Sequence, residues 1–92
     1  MEENRPLGWE RVAHKQGEAL ERCFTFPDFK AAWSFMDKVA AVAESMQHHP
    51  DWENSYNRLV IRLSTHDQGH VITALDLEMA LRINAILTLG GV

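Results

Sequence analysis

The sequence predicts an α+β fold in which a four-stranded antiparallel sheet carries two helices on one face. Some segments alternate apolar and polar residues, whereas two others repeat apolar residues at three- and four-residue steps. These segments follow one another in the order ββαββα, which is typical of helices packed on an antiparallel sheet. Ninety-two residues with 46% hydrophobic composition support one domain with a modest core, and we expect that domain to span residues 1–92.

The first half of the chain predicts two strands and a helix. Residues 9–26 alternate apolar and polar side chains on either side of a polar stretch that ends near Gly17. Pro27 and Asp28 favour a helix start, because proline needs no N–H partner and a carboxylate faces the positive end of the helix dipole. The helix is expected to run to about Gln47 and to stop before Pro50. Its predicted core-facing stripe comprises Phe29, Trp33, Met36, Val39, Ala40 and Ala43.

The second half predicts two more strands. Residues 57–65, NRLVIRLST, form the clearest strand pattern, with Leu59, Ile61 and Leu63 on one face. A short strand from Trp52 to Ser55 is expected to precede it.

The last helix is predicted to start with Thr73 as its cap and Asp76 three residues later. It should run to about Leu89 and end at Gly90 and Gly91. At about 100° per residue it presents two apolar stripes, and one sheet cannot cover both. We therefore expect a homodimer or homotetramer in which the second stripe packs on a partner copy. The first stripe is Leu75, Met79, Ile83, Ile86 and Leu87, and the second is Leu77, Leu81 and Leu89.

Composition excludes several classes of function. The net charge of −4 and the pI of about 5.6 argue against direct nucleic-acid binding and favour a small ligand or a protein partner. No apolar run reaches the length of a membrane span, and the first residues do not resemble a secretion signal, so we expect a cytoplasmic protein with no membrane partner. Cys23 is the only cysteine, which precludes an intrachain disulfide, and we expect it to be a small buried residue.

Three histidines are candidates for acid–base chemistry. Glu44 precedes His48 by four residues, so a continuous helix would stack the two side chains and let the carboxylate orient the imidazole. His49 follows directly, and His66 lies where the strong strand ends. Imidazoles exchange protons near neutral pH, and these three could converge on one pocket. Its expected aromatic walls are Trp52 and Tyr56.

Structural explanations compete with these roles. His48 could simply cap the carbonyls at the end of the helix, and the capping position of Asp76 accounts for that residue without a substrate. Trp52 could be a packing residue. His14 and His70 lack a partner at useful spacing, and we expect both to be exposed. No metal is expected, because paired cysteines and the helical His-Glu-x-x-His spacing are absent.

The spacing of these residues resembles a known family signature. Glu44 is followed after three residues by His48-His49-Pro50, after five more by Tyr56, after nine by His66 and after nine by Asp76. With Gly8-Trp9 near the start and Thr65-His66-Asp67 after a strand, this pattern is similar to that of the pterin-4a-carbinolamine dehydratases. That family is also known as the dimerisation cofactor of a homeodomain transcription factor. The sequence departs from the pattern in one place, since the loop from His66 to Asp76 is longer.

The resemblance implies an α+β hydro-lyase that dehydrates 4a-hydroxytetrahydropterin to quinonoid dihydropterin during tetrahydrobiopterin recycling. It implies no metal and no organic cofactor. His48 and His66 would be alternative proton donors on the two faces of the pterin, and His49 would bind and position it. Glu44 would orient His48. The implied substrate contacts are Trp52, Ser64, Thr65 and Asp76.

The resemblance also leaves a second hypothesis. Members of the family can act as oligomeric partners of a transcription factor, and similar proteins assist the assembly of photosynthetic enzymes. A non-catalytic scaffold has no need for Glu44, three histidines and Trp52 at these spacings. The sequence therefore favours the enzyme, although a protein partner is compatible with catalysis.

Overall fold

The computed structural model describes residues 5–88 and shows an antiparallel sheet packed against two helices. The predicted order ββαββα is confirmed, and the strands lie in the order β1-β2-β4-β3. A short 3₁₀ turn at His66–Gln68 separates β4 from α2. The elements are β1 (Glu10–His14), β2 (Gly17–Thr25), α1 (Phe29–Met46), β3 (Asp51–Ser55), β4 (Arg58–Leu63) and α2 (Ala74–Thr88).

The core lies between the helices and one face of the two central strands. Leu20 pairs with Leu63 and Phe24 with Leu59, so these apolar side chains point to the same side of the sheet. Phe35 of α1 fills the space above them, with its ring centroid 5.0 Å from that of Phe24. The alternation in the sequence therefore predicted the buried face of both strands correctly.

Helix α1 begins as predicted but turns a different face to the core. Asp28 caps it, since its Oδ1 accepts a hydrogen bond from Ala31 N at 2.9 Å. Phe29, Trp33 and Ala40 are exposed, so the predicted stripe was wrong at these positions, whereas Met36, Val39 and Ala43 are buried as predicted. The rings of Phe29 and Trp33 stack at 6.3 Å. Large Phe35 takes the place over the sheet that these rings were expected to fill. The buried residues are Ala32, Phe35, Met36, Val39 and Ala43.

Helix α2 packs on the core through most of its predicted stripe, since Ile86 and Leu87 are partly buried against the core in addition to Met79 and Ile83. Its buried apolar residues are Met79, Ala80 and Ile83. Leu75, placed by the sequence in the core stripe, is exposed, and Leu77, placed in the outer stripe, packs against the core. Leu81 stays exposed as expected. The predicted helix end at residues 89–91 lies outside the described range.

Two further chemical expectations are decided by the fold. Cys23 is exposed, because it lies beside Val60 on the sheet face away from the helices, so the prediction of burial was wrong. Within residues 5–88, neither helix has the length and hydropathy needed to cross a membrane.

Candidate active site

The end of α1 delivers the first candidate histidine. Gln47 adopts a left-handed conformation (φ 53°), and His48 N–H then donates to the carbonyl of Ala43 at 3.1 Å, as in a Schellman cap. Pro50 prevents the helix from resuming. The chain therefore leaves α1 abruptly, and His48 turns inward toward α2 while His49 remains outside.

His48 is fixed by a buried carboxylate. Its Nε2 lies 2.6 Å from Oδ1 of Asp76, which is 0% exposed. The second oxygen of Asp76 accepts hydrogen bonds from the Thr65 hydroxyl at 2.8 Å and from Thr73 N–H at 2.8 Å. Because an ionised carboxylate can only accept hydrogen bonds, His48 carries a proton on Nε2, and Nδ1 is the ring nitrogen left for a ligand.

His49 is held by the carboxylate that was expected to serve His48. Its Nε2 lies 2.6 Å from Oε2 of Glu44, and both side chains are exposed. The expected pairing of Glu44 with His48 was wrong, because the left-handed residue Gln47 breaks the helical spacing on which it depended. Each of these two histidines therefore has its own carboxylate.

One pocket of about 330 Å³ brings the three histidines together. This volume lies at the lower end of the range for small-molecule sites. The pocket is formed by the end of α1, the chain after β4 and the first turn of α2. Its lining residues are Gln47, His48, His49, Thr65, His66, Asp67 and Leu75.

Other predicted site residues lie away from the lining. Trp52 pairs with Ile61 and packs against the core, and the Ser64 hydroxyl donates to the carbonyl of Glu18 at 2.8 Å. Tyr56 is exposed in the turn between β3 and β4. Asp76 lies behind His48, so it acts on the pocket through that ring.

Sequence reasoning missed three residues of the lining. Gln47 and Asp67 are direct neighbours of His48 and His66, so their position in the chain was an available signal. Leu75 had been assigned to the core stripe of α2, and its exposure at the pocket gives the site an apolar wall.

The two histidines expected to be exposed are both engaged. Nε2 of His14 lies 2.7 Å from Oδ2 of Asp51, and Lys15 Nζ lies 3.5 Å from the same oxygen. The hydrogen bond from His14, aided by the charge of Lys15, holds the pKa of Asp51 below its ordinary value. His70 is half-buried, and its ring centroid lies 4.8 Å from that of His66. The expectation of free surface histidines was therefore wrong.

Nothing in the arrangement of side chains suggests a metal centre within the described part of the chain. Across residues 5–88, no group of three or more His, Cys, Asp or Glu side chains is placed to hold an ion. The pocket histidines are committed to carboxylates or to another ring, and such an arrangement suits proton exchange.

Comparison with known sequences gives a consistent result. The family model described as "Pterin 4 alpha carbinolamine dehydratase" matches residues 1–86. A protein of Prochlorococcus marinus is 49% identical over 79 residues, which cover 86% of this chain and 77% of the relative. A protein of Brucella ovis is 46% identical over 79 residues, covering 86% and 78%. Both are named "Putative pterin-4-alpha-carbinolamine dehydratase".

Two solved structures are also similar. A transcriptional coactivator/pterin dehydratase from Brucella melitensis superposes with a TM-score of 0.78 and 42% identity, covering 87% of this chain and 82% of that one. A pterin dehydratase-like protein described as a RuBisCO assembly factor in the alpha-carboxysome gives a TM-score of 0.69 at 21% identity, with 86% and 88% coverage. At that identity the second similarity shows a shared fold alone.

Proposed function

Because this chain belongs to the pterin-4a-carbinolamine dehydratase family, we propose that it removes water from a 4a-hydroxytetrahydropterin to give quinonoid dihydropterin. The observation that carries the proposal is the convergence of His48, His49 and His66 on one pocket. The burial of His48 against Asp76 adds to it, since a fixed imidazole is a prepared proton donor or acceptor.

The reaction needs only protons to move. As the bond between the ring carbon and the hydroxyl oxygen breaks, an imidazolium donates a proton, so that water leaves instead of hydroxide. The neighbouring ring nitrogen loses a proton to a base, and the electrons of its N–H bond form the new double bond. A positioned acid or base contributes about 10²–10⁴ in rate, or roughly 3–5 kcal/mol of barrier.

The proposed roles are those that the family resemblance implies, changed where the contacts in the structure require it. His48 and His66 donate protons on the two faces of the pterin, and His49 binds and positions it. Glu44 orients His49, since its carboxylate lies 2.6 Å from that ring. Asp76 is the positioning residue of His48.

The substrate contacts are reassigned in the same way. Thr65 and Leu75 line the pocket and would contact the bound pterin, with Leu75 against an apolar part of the ring. Trp52 and Ser64 are left out of the proposed contacts, because each is engaged elsewhere.

An absorbance assay tests the proposal directly. An aromatic amino acid hydroxylase generates the 4a-hydroxy intermediate, and its decay is followed with and without the purified protein. We expect faster decay, and at least a tenfold loss of that acceleration in the variants His48→Ala and His66→Ala. Lys30→Ala, at the opposite end of α1, is the control and should match the unsubstituted protein. An unaltered decay at stoichiometric protein would refute the enzymatic function.

An assembly role is a second candidate, and an exposed aromatic pair favours it. Phe29 and Trp33 stack at the start of α1, away from the pocket, with Trp33 56% exposed. Leu81 of α2 is also exposed, and a second copy or another protein that covered any of these side chains would bury apolar area. Sedimentation of the chain and of Leu81→Glu tests association between copies. A monomer at micromolar concentration in both samples would remove the oligomer.

A further inference from the structure

The three pocket imidazoles are not supported in the same way. Carboxylates fix His48 and His49 at 2.6 Å each, through Asp76 and Glu44. His66 lies exposed on a three-residue 3₁₀ turn, and within residues 5–88 its ring receives no carboxylate of this kind. The contact that it does make is with the ring of His70, at 4.8 Å between centroids and 72° between planes.

The main chain at His70 is held on two sides. Its N–H donates to the carbonyl of Thr65 at 3.1 Å, and its carbonyl accepts from Glu18 N–H at 2.8 Å. The approach is so close that a Cβ at Gly17 would come within 2.0 Å of that carbonyl oxygen. His70 also adopts φ 58°, in the left-handed region. The backbone therefore determines where this ring lies.

One edge of the His70 ring is enclosed. Its Nδ1 is buried and has no hydrogen-bond partner within the described residues. A buried N–H without an acceptor is more costly than a buried lone pair, so the proton of the neutral ring belongs on Nε2. The buried Nδ1 of His70 therefore has no part in the proton transfers proposed for the pocket.

A second ring, that of His14, also contacts His70. The ring of His14 lies 6.3 Å from it, at 90° between planes. His14 is in turn fixed by its 2.7 Å hydrogen bond to Asp51 at the start of β3. Asp51, His14 and His70 thus form a continuous row of contacts that ends at His66.

We propose that His70 is a positioning residue for His66: its neutral ring, with the proton on Nε2, holds the His66 imidazole against the pocket, as carboxylates do for the other two histidines. A proton donor on that face of the pterin is thereby fixed by a neutral ring and not by a hydrogen bond to a carboxylate. The consequence for catalysis rests on the proposed function, whereas the consequence for the His66 side chain does not.

The size of the effect follows from side-chain rotamers. An unsupported His66 side chain would distribute over three staggered χ1 wells and two broad ring orientations, so the productive fraction should fall about three- to sixfold. We expect kcat to fall by that factor in His70→Asn while KM changes little. Asn tolerates the left-handed backbone but has no ring, whereas His70→Phe keeps a ring and should retain most of kcat.

Nuclear magnetic resonance tests the positioning of the His66 ring without an activity assay. In the unsubstituted protein we expect nuclear Overhauser contacts between the two rings and ¹⁵N shifts that identify Nε2 as the protonated nitrogen of His70 at pH 8. The χ1 couplings of His66 should indicate one rotamer there and in His70→Phe, and averaging in His70→Asn. Thermal unfolding checks that both variants fold.

The outcomes separate the two proposals. Averaged His66 couplings in His70→Asn support positioning, even if no form of the protein accelerates dehydration. Couplings unchanged by loss of the ring, or absent ring-to-ring contacts in the unsubstituted protein, would overturn it. A proton on Nδ1 would overturn the stated tautomer. An equal loss of kcat in His70→Phe and His70→Asn would also contradict the proposal, because it would show that a ring at position 70 preserves no activity.

Discussion

Replacing Asp76 with Asn tests the link between the buried carboxylate and catalysis. The amide has nearly the same shape, but it carries no charge and presents only one acceptor oxygen. That oxygen is best used where Asp76 now receives Thr65 and Thr73, so the NH₂ group faces Nε2 of His48. The neutral imidazole must then carry its proton on Nδ1, and the imidazolium that donates to the pterin is disfavoured, because its Nε2–H would face the amide NH₂.

The magnitude follows from the three short hydrogen bonds. A bond to a charged group contributes about 1.5–3 kcal/mol and a neutral one about 0.5–1.5, so loss of the charge from three bonds costs about 3–4.5 kcal/mol. Relief of the buried charge offsets part of this, and we expect Asp76→Asn to lower the free energy of unfolding by about 1–3 kcal/mol. For a chain of this size, each kcal/mol shifts Tm by about 4–8 °C. Dehydration should fall about 10²-fold, because a general acid–base group in the wrong tautomer is lost to the reaction.

The assay compares decay of the 4a-hydroxy intermediate with thermal unfolding in the same preparations. Asp28→Ala is the matched control, since it removes the cap of α1 at the end away from the pocket and costs about 1 kcal/mol. It should lower Tm and leave kcat/KM intact. The reasoning is refuted if folded Asp76→Asn keeps kcat/KM within twofold, or if Asp28→Ala loses as much activity.

Three further predictions concern stability and are read from thermal or urea unfolding. Gly17→Ala should lower the free energy of unfolding by about 1–3 kcal/mol, because its Cβ would meet the His70 carbonyl at 2.0 Å; an unchanged Tm would contradict that contact. Asp51→Asn replaces the charged acceptor of His14 with a neutral amide oxygen. Because the hydrogen bond from His14 lowers the pKa of Asp51, the stability gap to the unsubstituted protein should be present above the ordinary value of 3.8 and close as the pH falls through the lowered pKa. A gap that persisted in acid would contradict the pairing. Phe35→Ala should cost about 3–5 kcal/mol, since Phe35 is fully buried among core rings; a loss under 1 kcal/mol would show that the core has collapsed around it.

Local patterns predicted the fold well because each of them is enforced within a few residues. Alternation in β4 fixed the buried face of Leu59 and its neighbours, and Pro50 fixed the end of α1 to within one residue. The rotation of α1 was not predictable in the same way. Phe29 and Trp33 are as apolar as Phe35, and only the space above the sheet decides which of these rings is buried.

The site was likewise predictable in part. Convergence of three histidines followed from their places at the ends of α1 and β4, which pack side by side. The carboxylate partner of each histidine was not predictable. A single left-handed residue, Gln47, breaks the helical spacing, so Glu44 pairs with His49 and not with His48. His70 was missed because its contacts depend on the folding of a loop that has no regular pattern.

The cap of α2 explains how Asp76 is held behind His48 whatever the path of that loop. The Thr73 and Asp76 cap depends only on contacts within three residues, so the position of Asp76 is set by α2 and not by the chain that leads to it. The chain before the cap passes through two consecutive left-handed residues, Gly69 and His70, and a bridge from Thr65 to Val71 closes the loop. The same turn places the His70 ring against His66. The cap therefore holds the carboxylate of His48 in place, while the loop supplies the contact that we propose positions His66.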